Sequence, residues 1–413
     1  MPIIEFRLLI KFMNISFDDT KTAFAYKSNS QLKRAHFIFS SMAKPWLVKL
    51  GLWLTPLALK LKLPVKGMIR KTIFSQFVGG ETLQKTSTVV EKLAKFHVQV
   101  ILDYGVEGKD GEENFDHAAE EFIKVIQYAA TQPNIPFMSI KLTGLSRFEL
   151  FKKIDSLAVY DDIVQGKIPL EKLTESEKAE WERVVARLRR ICEVAVTTNV
   201  GVLIDAEESW IQHAEDAITT QMMREFNMGR AVIYNTAQLY RHDRLQYIKD
   251  ICCFAKKNNF IPAMKLVRGA YLERERKRAE EMNYPSPINE TKEATDAEFN
   301  AAVEFCINPG NNMHVVIGSH NESSNLYGVK LMEQFGLALN DPRIHFSQLF
   351  GMSDNITFNL AKAGCNVSKY VPFGPIQDVI PYLMRRAQEN SSVGGQTGRE
   401  LLLIEKEVKR RGI

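Results

Sequence analysis

The chain has 413 residues, of which 45% are hydrophobic and 25% are charged. This composition is ordinary for a globular protein with a large core. The net charge of +5 is too small to indicate a nucleic-acid partner by itself. Five scattered cysteines without a CxxC pair, together with no recognisable signal peptide, indicate a cytoplasmic protein with reduced thiols. No apolar run approaches the length of about 18 residues that a membrane-spanning helix needs.

The N-terminal part of the chain is strongly basic. Residues 21–80 contain 11 basic and no acidic residues, whereas the rest contains 43 basic and 49 acidic residues. Trp46–Leu63 is apolar and is interrupted only by lysines among its charged residues. One interpretation is a helical layer on the main domain with solvated lysines. The other is an interfacial segment that holds the protein on the inner face of the cell membrane. In both cases residues 1–85 are expected to form a basic, amphipathic helical segment.

Short β-rich runs then recur along the chain, separated by helical patterns. Their length suits buried parallel strands, and eight β-then-α units predict an α/β fold, a (βα)8 barrel over residues 86–390. Trp181–Thr197 and Arg244–Asn258 are two of the predicted amphipathic helices, and residues 391–413 are predicted to be a polar tail. The predicted strands are Val98–Leu102, Phe137–Lys141, Gly201–Asp205, Ala231–Tyr234, Ala263–Val267, Val315–Gly318, Ile344–Gln348 and Val367–Val371.

Most of these predicted strands carry or meet a polar residue near their C-terminal end, which is where a barrel places its chemistry. A single polar strand end often only caps the next helix, but cations and anions alternate here. Lys265 would point into the barrel, where an unpaired lysine is costly, and this favours a functional role. The polar strand ends are Lys141, Asp205, Asn235–Gln238, Lys265, Ser319–Asn321, Gln348 and Tyr370.

The segment Pro381–Asn390 has a helical pattern with a distinctive face. At 100° per residue, its tyrosine, two arginines and glutamate share one side of the helix. Paired guanidinium groups suit a carboxylate or a phosphate, so this face is a candidate site for a small zwitterion. The alternative is a solvated face with an Arg385–Glu389 ion pair. The four residues are Tyr382, Arg385, Arg386 and Glu389.

Other common chemistries lack their motifs. The sequence has no GxGxxG after a strand, no P-loop, no HExxH and no GxSxG, so it supports neither a Rossmann site, a nucleotide loop, a zinc site nor a serine nucleophile. A lyase or aldolase that forms a Schiff base through Lys141 or Lys265 stays open as an alternative enzyme.

Taken together, the motifs resemble the monofunctional proline dehydrogenase (proline oxidase) family. The resemblance covers roughly residues 70–395. It is carried, in chain order, by Ser139–Lys141, Ile204–Glu208, Lys265–Tyr271, Ser319–Asn321, Lys369–Gly374 and Tyr382–Asn390.

The resemblance implies a distorted (βα)8 barrel with FAD at the strand C-termini. It implies that Arg385, Arg386 and Lys141 bind the proline carboxylate, that Glu389 orients this cationic cluster, and that Asp205 pairs with the arginines. It further implies two sets of neighbouring residues. Tyr370, Tyr382, Tyr271 and Leu266 would surround the pyrrolidine ring. Lys265, Arg268, Gly269, Ser319, His320 and Asn321 would lie on the cofactor side, with Thr236 and Gln238. Some bacterial members have Arg at the position of Lys265, so the hydrogen bonding to the flavin ring is expected to differ here.

The implied reaction oxidises L-proline to Δ1-pyrroline-5-carboxylate by hydride transfer from C5 to flavin N5. A phenol at the position of Tyr370 implies a preference for proline over hydroxyproline. Electrons would pass to a membrane quinone, and a separate pyrroline-5-carboxylate dehydrogenase would act on the product. No metal ion and no nucleic acid are expected as partners.

Overall fold

The computed structural model describes residues 15–60, 65–105, 110–392 and 396–413, with side chains except at 55–60, 389–392 and 396–397. The side chain of Glu389 therefore lies outside the described part.

Eight parallel strands close into a barrel in which each strand pairs with the next and β8 pairs with β1. This confirms the predicted (βα)8 barrel, and helices precede the first strand as expected. The strands are β1 Gln99–Tyr104, β2 Phe137–Ile140, β3 Gly201–Ile204, β4 Ile233–Gln238, β5 Ala263–Val267, β6 His314–Gly318, β7 Ile344–Leu349 and β8 Val367–Phe373.

The helices surround this barrel and cover its outer face. Several begin with the caps that their sequences predict; Thr174 and Glu177, for example, form a capping box. The helices are α1 Thr20–Ala23, α2 Asn29–Met42, α3 Pro45–Lys60, α4 Lys66–Ile69, α5 Ser75–Phe77, α6 Leu83–Ala94, α7 Glu112–Ala130, α8 Phe148–Leu157, α9 Tyr160–Val164, α10 Glu175–Thr198, α11 Ser209–Phe226, α12 Arg244–Asn258, α13 Leu272–Glu281, α14 Lys292–Ile307, α15 Glu322–Gln334, α16 Asp354–Ala363, α17 Ile376–Ser392 and α18 Gln396–Arg411. Short turns lie at Arg70–Phe74 (π) and at Leu142–Gly144, Leu170–Lys172 and Pro309–Asn311 (3-10).

Strand alternation separates two environments in the barrel. Every second residue of a strand faces outward and packs against the helices in the main core. The residues between them face inward, where Ile101, Leu203, Tyr234 and Val316 form a separate apolar cluster. Because side chains alternate across a strand, the next inward positions toward the C-terminal ends are Asp103, Ser139, Asp205, Thr236 and Lys265. The interior thus changes from an apolar layer to a polar one at the end where a barrel carries its site.

Strand β4 is longer than predicted. The sequence predicted its end at Tyr234, but the ladder with β5 runs from Asn235 to Gln238. The polar residues can stay in the strand because their side chains have partners. Asn235, for example, donates to Asp216 and to the Tyr247 hydroxyl.

The C-terminal segment is not the polar tail that the sequence predicted. It contains α18, which packs on α2 and buries Leu403 and Ile404 to 1% exposure each. The Arg411 guanidinium donates to the carbonyls of Phe24 and Lys27 and so ties the helix to the N-terminal layer. The predicted boundaries after residues 85 and 390 fall inside α6 and α17.

Candidate active site

Asp205 is the centre of the polar layer. It follows β3 directly, and its carboxylate receives hydrogen bonds from the Lys265 ammonium, the Ser139 hydroxyl and, at 2.8 Å, the Tyr370 hydroxyl. Lys141 Nζ lies 3.6 Å from the same carboxylate. The described ion pairs of Asp205 are therefore with two lysines, and its pairing with the arginine cluster stays a prediction. One carboxylate thus serves two ammonium groups.

The charges at this cluster are fixed by their neighbours. Burial alone would raise the pKa of Asp205, but Lys265 and Lys141 outweigh it and hold that pKa well below its ordinary value. Burial likewise opposes the ammonium form of Lys141, yet the Tyr271 phenol and nearby carboxylates, Asp205 first among them, hold its pKa well above the usual range. Both groups are therefore ionised near neutral pH.

Tyr370 lies between two carboxyl groups. Its hydroxyl interacts with Asp205 and also with Asp103 at the end of β1. Burial, with the charges of these two aspartates, raises the pKa of the phenol well above its ordinary value. Tyr370 consequently keeps its proton and can fix its ring by donating it. The ring also lies under the Lys265 ammonium, 5.5 Å from its centroid.

Helix α17 brings the arginine pair to this site. Arg385 acts electrostatically on Tyr271, as does Lys141, and Arg386 acts on His320. The Arg386 guanidinium lies 5.1 Å from the centre of the Tyr382 ring, and both residues are buried. The charges of Arg385 and Arg386 therefore act on Tyr271 and His320, and their roles at the substrate and cofactor sides stay predictions.

Arg268 is held firmly after β5. Its Nε donates to Asp296 at 2.6 Å, Nη1 to Ser319 at 2.8 Å and Nη2 to Ser324 at 2.9 Å. The guanidinium also stacks over Phe299 at 4.3 Å. Such a pre-oriented fork still has N–H groups left for an anionic ligand.

His320 and Asn321 directly precede helix α15. Asn321 is its N-cap and accepts the Ser324 amide proton. His320 Nδ1 lies 2.8 Å from the Ser353 hydroxyl. Burial, with the positive charges of Lys369, Arg386 and Arg268, lowers the pKa of His320 to about 3. His320 is therefore neutral at physiological pH and offers a hydrogen bond and no charge.

The remaining predicted residues hold the site together. Thr236 donates to the Ile204 carbonyl, and Gln238 links the Glu207 carbonyl to the Ala270 amide. Gly269 has φ +139°, and an added Cβ would lie 2.5 Å from the Tyr240 ring, so this turn needs glycine.

Leu266 does not meet its predicted role. It is completely buried in the core between the barrel and the helices. Since Lys265 faces inward, strand alternation turns Leu266 outward, away from the place expected for the substrate ring.

Comparison with known proteins supplies the family. Residues 86–399, about three quarters of the chain, match the family model described as proline dehydrogenase. The chain belongs to the proline dehydrogenase family. It is 33% identical to proline dehydrogenase 1, mitochondrial, of Dictyostelium discoideum, over 86% of this chain and 67% of that one. It is 30% identical to hydroxyproline dehydrogenase of Xenopus laevis, over 96% and 90%.

Solved structures share this fold. Proline utilization A from Bdellovibrio bacteriovorus superimposes with a TM-score of 0.68 at 19% identity, over 91% of this chain and 37% of that chain. At this identity the likeness supports the barrel itself.

Sequence reasoning missed two site residues of this proline dehydrogenase family member. Asp103 follows Val-Ile-Leu in β1 and could have been found by the rule that identified Lys141 and Asp205, a charged residue ending an apolar run. Asp296, which anchors Arg268 from α14, does not end an apolar run, so the same rule would not have found it.

Proposed function

We propose that this enzyme oxidises L-proline to Δ1-pyrroline-5-carboxylate, the first step of proline catabolism, with FAD as its cofactor. The observation that carries the proposal is the cation-rich layer around Asp205 at the strand ends of a barrel in the proline dehydrogenase family. Proline has a secondary amine and a carboxylate. Its carboxylate suits the cations of this layer, and its amine suits the Asp205 carboxylate.

The substrate carboxylate would bind to Lys141, Arg385 and Arg386. The Lys141 side chain is 37% exposed and only loosely paired with Asp205 at 3.6 Å, so its ammonium can reach a ligand. Arg385 joins it beside Tyr271. Guanidinium forks fix the orientation of a carboxylate as well as its charge, and this would set the pyrrolidine ring against Tyr370 and Tyr382.

The amine of the substrate must be neutral when C5 is oxidised. Three cations around the carboxylate lower the proton affinity of a bound ammonium. The negative charge of Asp205 would favour the protonated amine. Because this carboxylate is already shared by two lysines, it only partly opposes the loss of the proton. Tyr370, fixed by its hydrogen bond to Asp205, would crowd a ring hydroxyl and favour proline over hydroxyproline.

The donor set at the barrel mouth fits FAD. Arg268 is an oriented fork, and His320 is a neutral hydrogen-bonding group at the start of α15. A helix N-terminus suits a phosphate. Lys265, Arg268, Gly269, Thr236, Gln238, Ser319, His320 and Asn321 are the residues that would hold it. When bound, FAD supplies the two-electron oxidant that amino acid side chains lack.

We further propose a membrane quinone as electron acceptor, reached through α3. Trp46, Leu50, Trp53 and Leu54 are 64%, 44%, 65% and 42% exposed, and their spacing places them on one face. Lysines and no acidic residues accompany this α3 surface, as expected for a helix lying on an anionic bilayer. In the part of the chain described, no helix is long and apolar enough to span a membrane. The product would pass to a separate pyrroline-5-carboxylate dehydrogenase, and the protein would be cytoplasmic and peripheral to the inner face of the cell membrane.

The Schiff-base lyase is less well supported. Lys141 and Lys265 both contact Asp205, and the pKa of Lys141 is held well above its usual value. A Schiff-base lysine must instead lose its proton readily. The charge at this cluster therefore favours binding over nucleophilic attack.

Turnover with L-proline and a soluble quinone analogue tests the proposal. Mass spectrometry should find a product that has lost two hydrogens, in equal amount to the hydroquinone formed. Absence of that product, with covalent trapping of a carbonyl compound on Lys141 or Lys265 by borohydride, would instead establish the lyase.

A further inference from the structure

A second cationic cluster lies away from the active site, in a cavity between the N-terminal helices and the barrel. This cavity has a volume of about 140 Å3, enough for several water molecules. We call it the N-terminal cavity. Its polar lining residues are Tyr26, Lys27, Gln31, Arg34, Ser75, Gln76, Thr88 and Lys92.

Three of these side chains are cations. Lys92 donates to Gln31 at 2.8 Å, and its ammonium and that of Lys27 lie 4.9 Å and 4.6 Å from the centre of the Tyr26 ring. Arg34 also faces the cavity, and its Nε is buried without a hydrogen-bond partner among the described residues. Buried N–H donors normally have hydrogen-bond partners. The space beside Arg34 is large enough for a ligand, so a bound ligand could supply the acceptor for its Nε–H.

The described protein does not neutralise these charges. The carboxylate that acts on Lys92 is that of Asp354. Asp354 already pairs with Lys27 at 3.4 Å and with the fully buried Lys369 at 2.9 Å, and it accepts the Tyr26 hydroxyl at 2.8 Å. Burial, with the like charges of Lys27 and Arg34, lowers the pKa of Lys92. The buried Glu400 carboxyl also acts on Lys369 and Tyr26. The four cations Lys27, Arg34, Lys92 and Lys369 still outnumber the two carboxyl groups of Asp354 and Glu400.

We propose that the N-terminal cavity binds an oxyanion of the phosphate class between Arg34, Lys92 and Lys27. A tetrahedral oxyanion presents several acceptor oxygens to a fork and two ammonium groups at once. The volume of about 140 Å3 has room for a single phosphate-sized group. Since Arg34 belongs to α2, Lys92 to α6 and Lys27 to the segment before α2, a bound anion would link the N-terminal layer to the barrel.

Orthophosphate is the probe. The melting temperature of the full-length protein would be recorded against phosphate concentration at constant ionic strength, and calorimetry would give the stoichiometry. The expected result is a saturable rise with one phosphate per chain. In Lys92→Gln and Arg34→Gln the apparent Kd should increase about tenfold or more, as for the loss of one charge-assisted hydrogen bond. Two exposed lysines, Lys33 on α2 and Lys95 at the C-cap of α6, serve as matched controls. Lys33→Gln and Lys95→Gln should behave as wild type.

The order of stabilities gives a second readout. Without phosphate, Lys92→Gln should be at least as stable as wild type, because it removes like-charge repulsion. With phosphate, wild type should become the more stable protein. A rise that does not saturate, or one that is equal in wild type and both cavity variants, would be a general salting effect and would overturn the site.

Discussion

At the scale of single residues, Asp205 determines the charge of the whole site. Its carboxylate is buried and serves Lys265, Lys141, Ser139 and Tyr370 together. Removal of one partner from a buried ion pair leaves the other charge uncompensated, which costs about 3–5 kcal/mol.

We therefore expect Asp205→Asn to lower the free energy of unfolding by about 3 kcal/mol or more. Urea denaturation measures this loss. Asp161→Asn, at an exposed position on α9, is the control and should change stability by about 0.5 kcal/mol at most. A loss at Asp205 no larger than at Asp161 would mean that the lysines find other counter-charges.

Asp103 should give the protein a distinctive pH dependence. Burial first, and then the charge of Asp205, raise the pKa of Asp103 to about 6. Its ionised form is thus disfavoured in the folded state, and the protein loses stability as pH rises from about 4 to about 6. Above that range the penalty is constant.

Asp103→Asn removes the titrating group, so the variant should lack this loss. The stability difference between variant and wild type should grow from near zero at pH 4 to about 3 kcal/mol at pH 7. Denaturation series at several pH values measure it. A difference that is flat with pH would show that Asp103 does not titrate in this window.

Arg385 is expected to contribute mainly to substrate binding. Its replacement by Ala removes a charge-assisted contact to the substrate carboxylate, and a loss of about 1.5–3 kcal/mol corresponds to a rise in KM of roughly 10- to 150-fold for L-proline. Steady-state kinetics measures this change. Arg224→Ala, at an exposed position on α11, should leave KM unchanged, and an unchanged KM in Arg385→Ala would remove this residue from the carboxylate site.

At the scale of elements, α18 fixes the N-terminal layer. Leu403 is 1% exposed in the cluster that joins α2, α17 and α18, whereas its neighbour Leu402 is 55% exposed. The two residues therefore form a matched pair on one helix. Leu403→Ala should lower the free energy of unfolding by about 2–5 kcal/mol, and Leu402→Ala should have little effect. Equal effects in thermal or urea unfolding would contradict the packing of this helix.

Local sequence signals predict the strands, whereas contacts between distant segments leave no local signal. Strands such as β5 Ala263–Val267 could be predicted because apolar runs with polar ends are local signals. The helix α18 could not, because Arg410 and Arg411 suggested solvation, and the partners of Leu403 lie on α2, more than 350 residues away in sequence. Alternation along β5 places Leu266 on the outer face of the strand, opposite to Lys265. The pairing of Lys265 with Asp205 is likewise a product of barrel closure.

At the scale of the whole molecule, the charge distribution gives the protein two unlike surfaces. The α3 surface is apolar and basic, whereas the remainder of the chain beyond residues 21–80 is net acidic. A membrane with anionic lipids would attract the first and repel the second. Such a polarity would orient the protein on the bilayer that holds a quinone.

We expect the protein to sediment with anionic vesicles at low salt and to be released as salt increases. Neutral vesicles should bind it less. The double variant Trp46→Ala/Trp53→Ala should lose binding to anionic vesicles while keeping its turnover with a soluble quinone analogue. No sedimentation at low salt, or full sedimentation of the double variant, would refute contact through the α3 surface.

The central claim is that this barrel holds a flavin and oxidises L-proline. Its most direct test is the visible spectrum of the purified protein with FAD, recorded without oxygen before and after L-proline is added. We predict a flavin spectrum that bleaches with L-proline and does not bleach with NADH or hydroxyproline. A protein that binds no flavin, or whose flavin spectrum is unchanged by L-proline, would contradict this account.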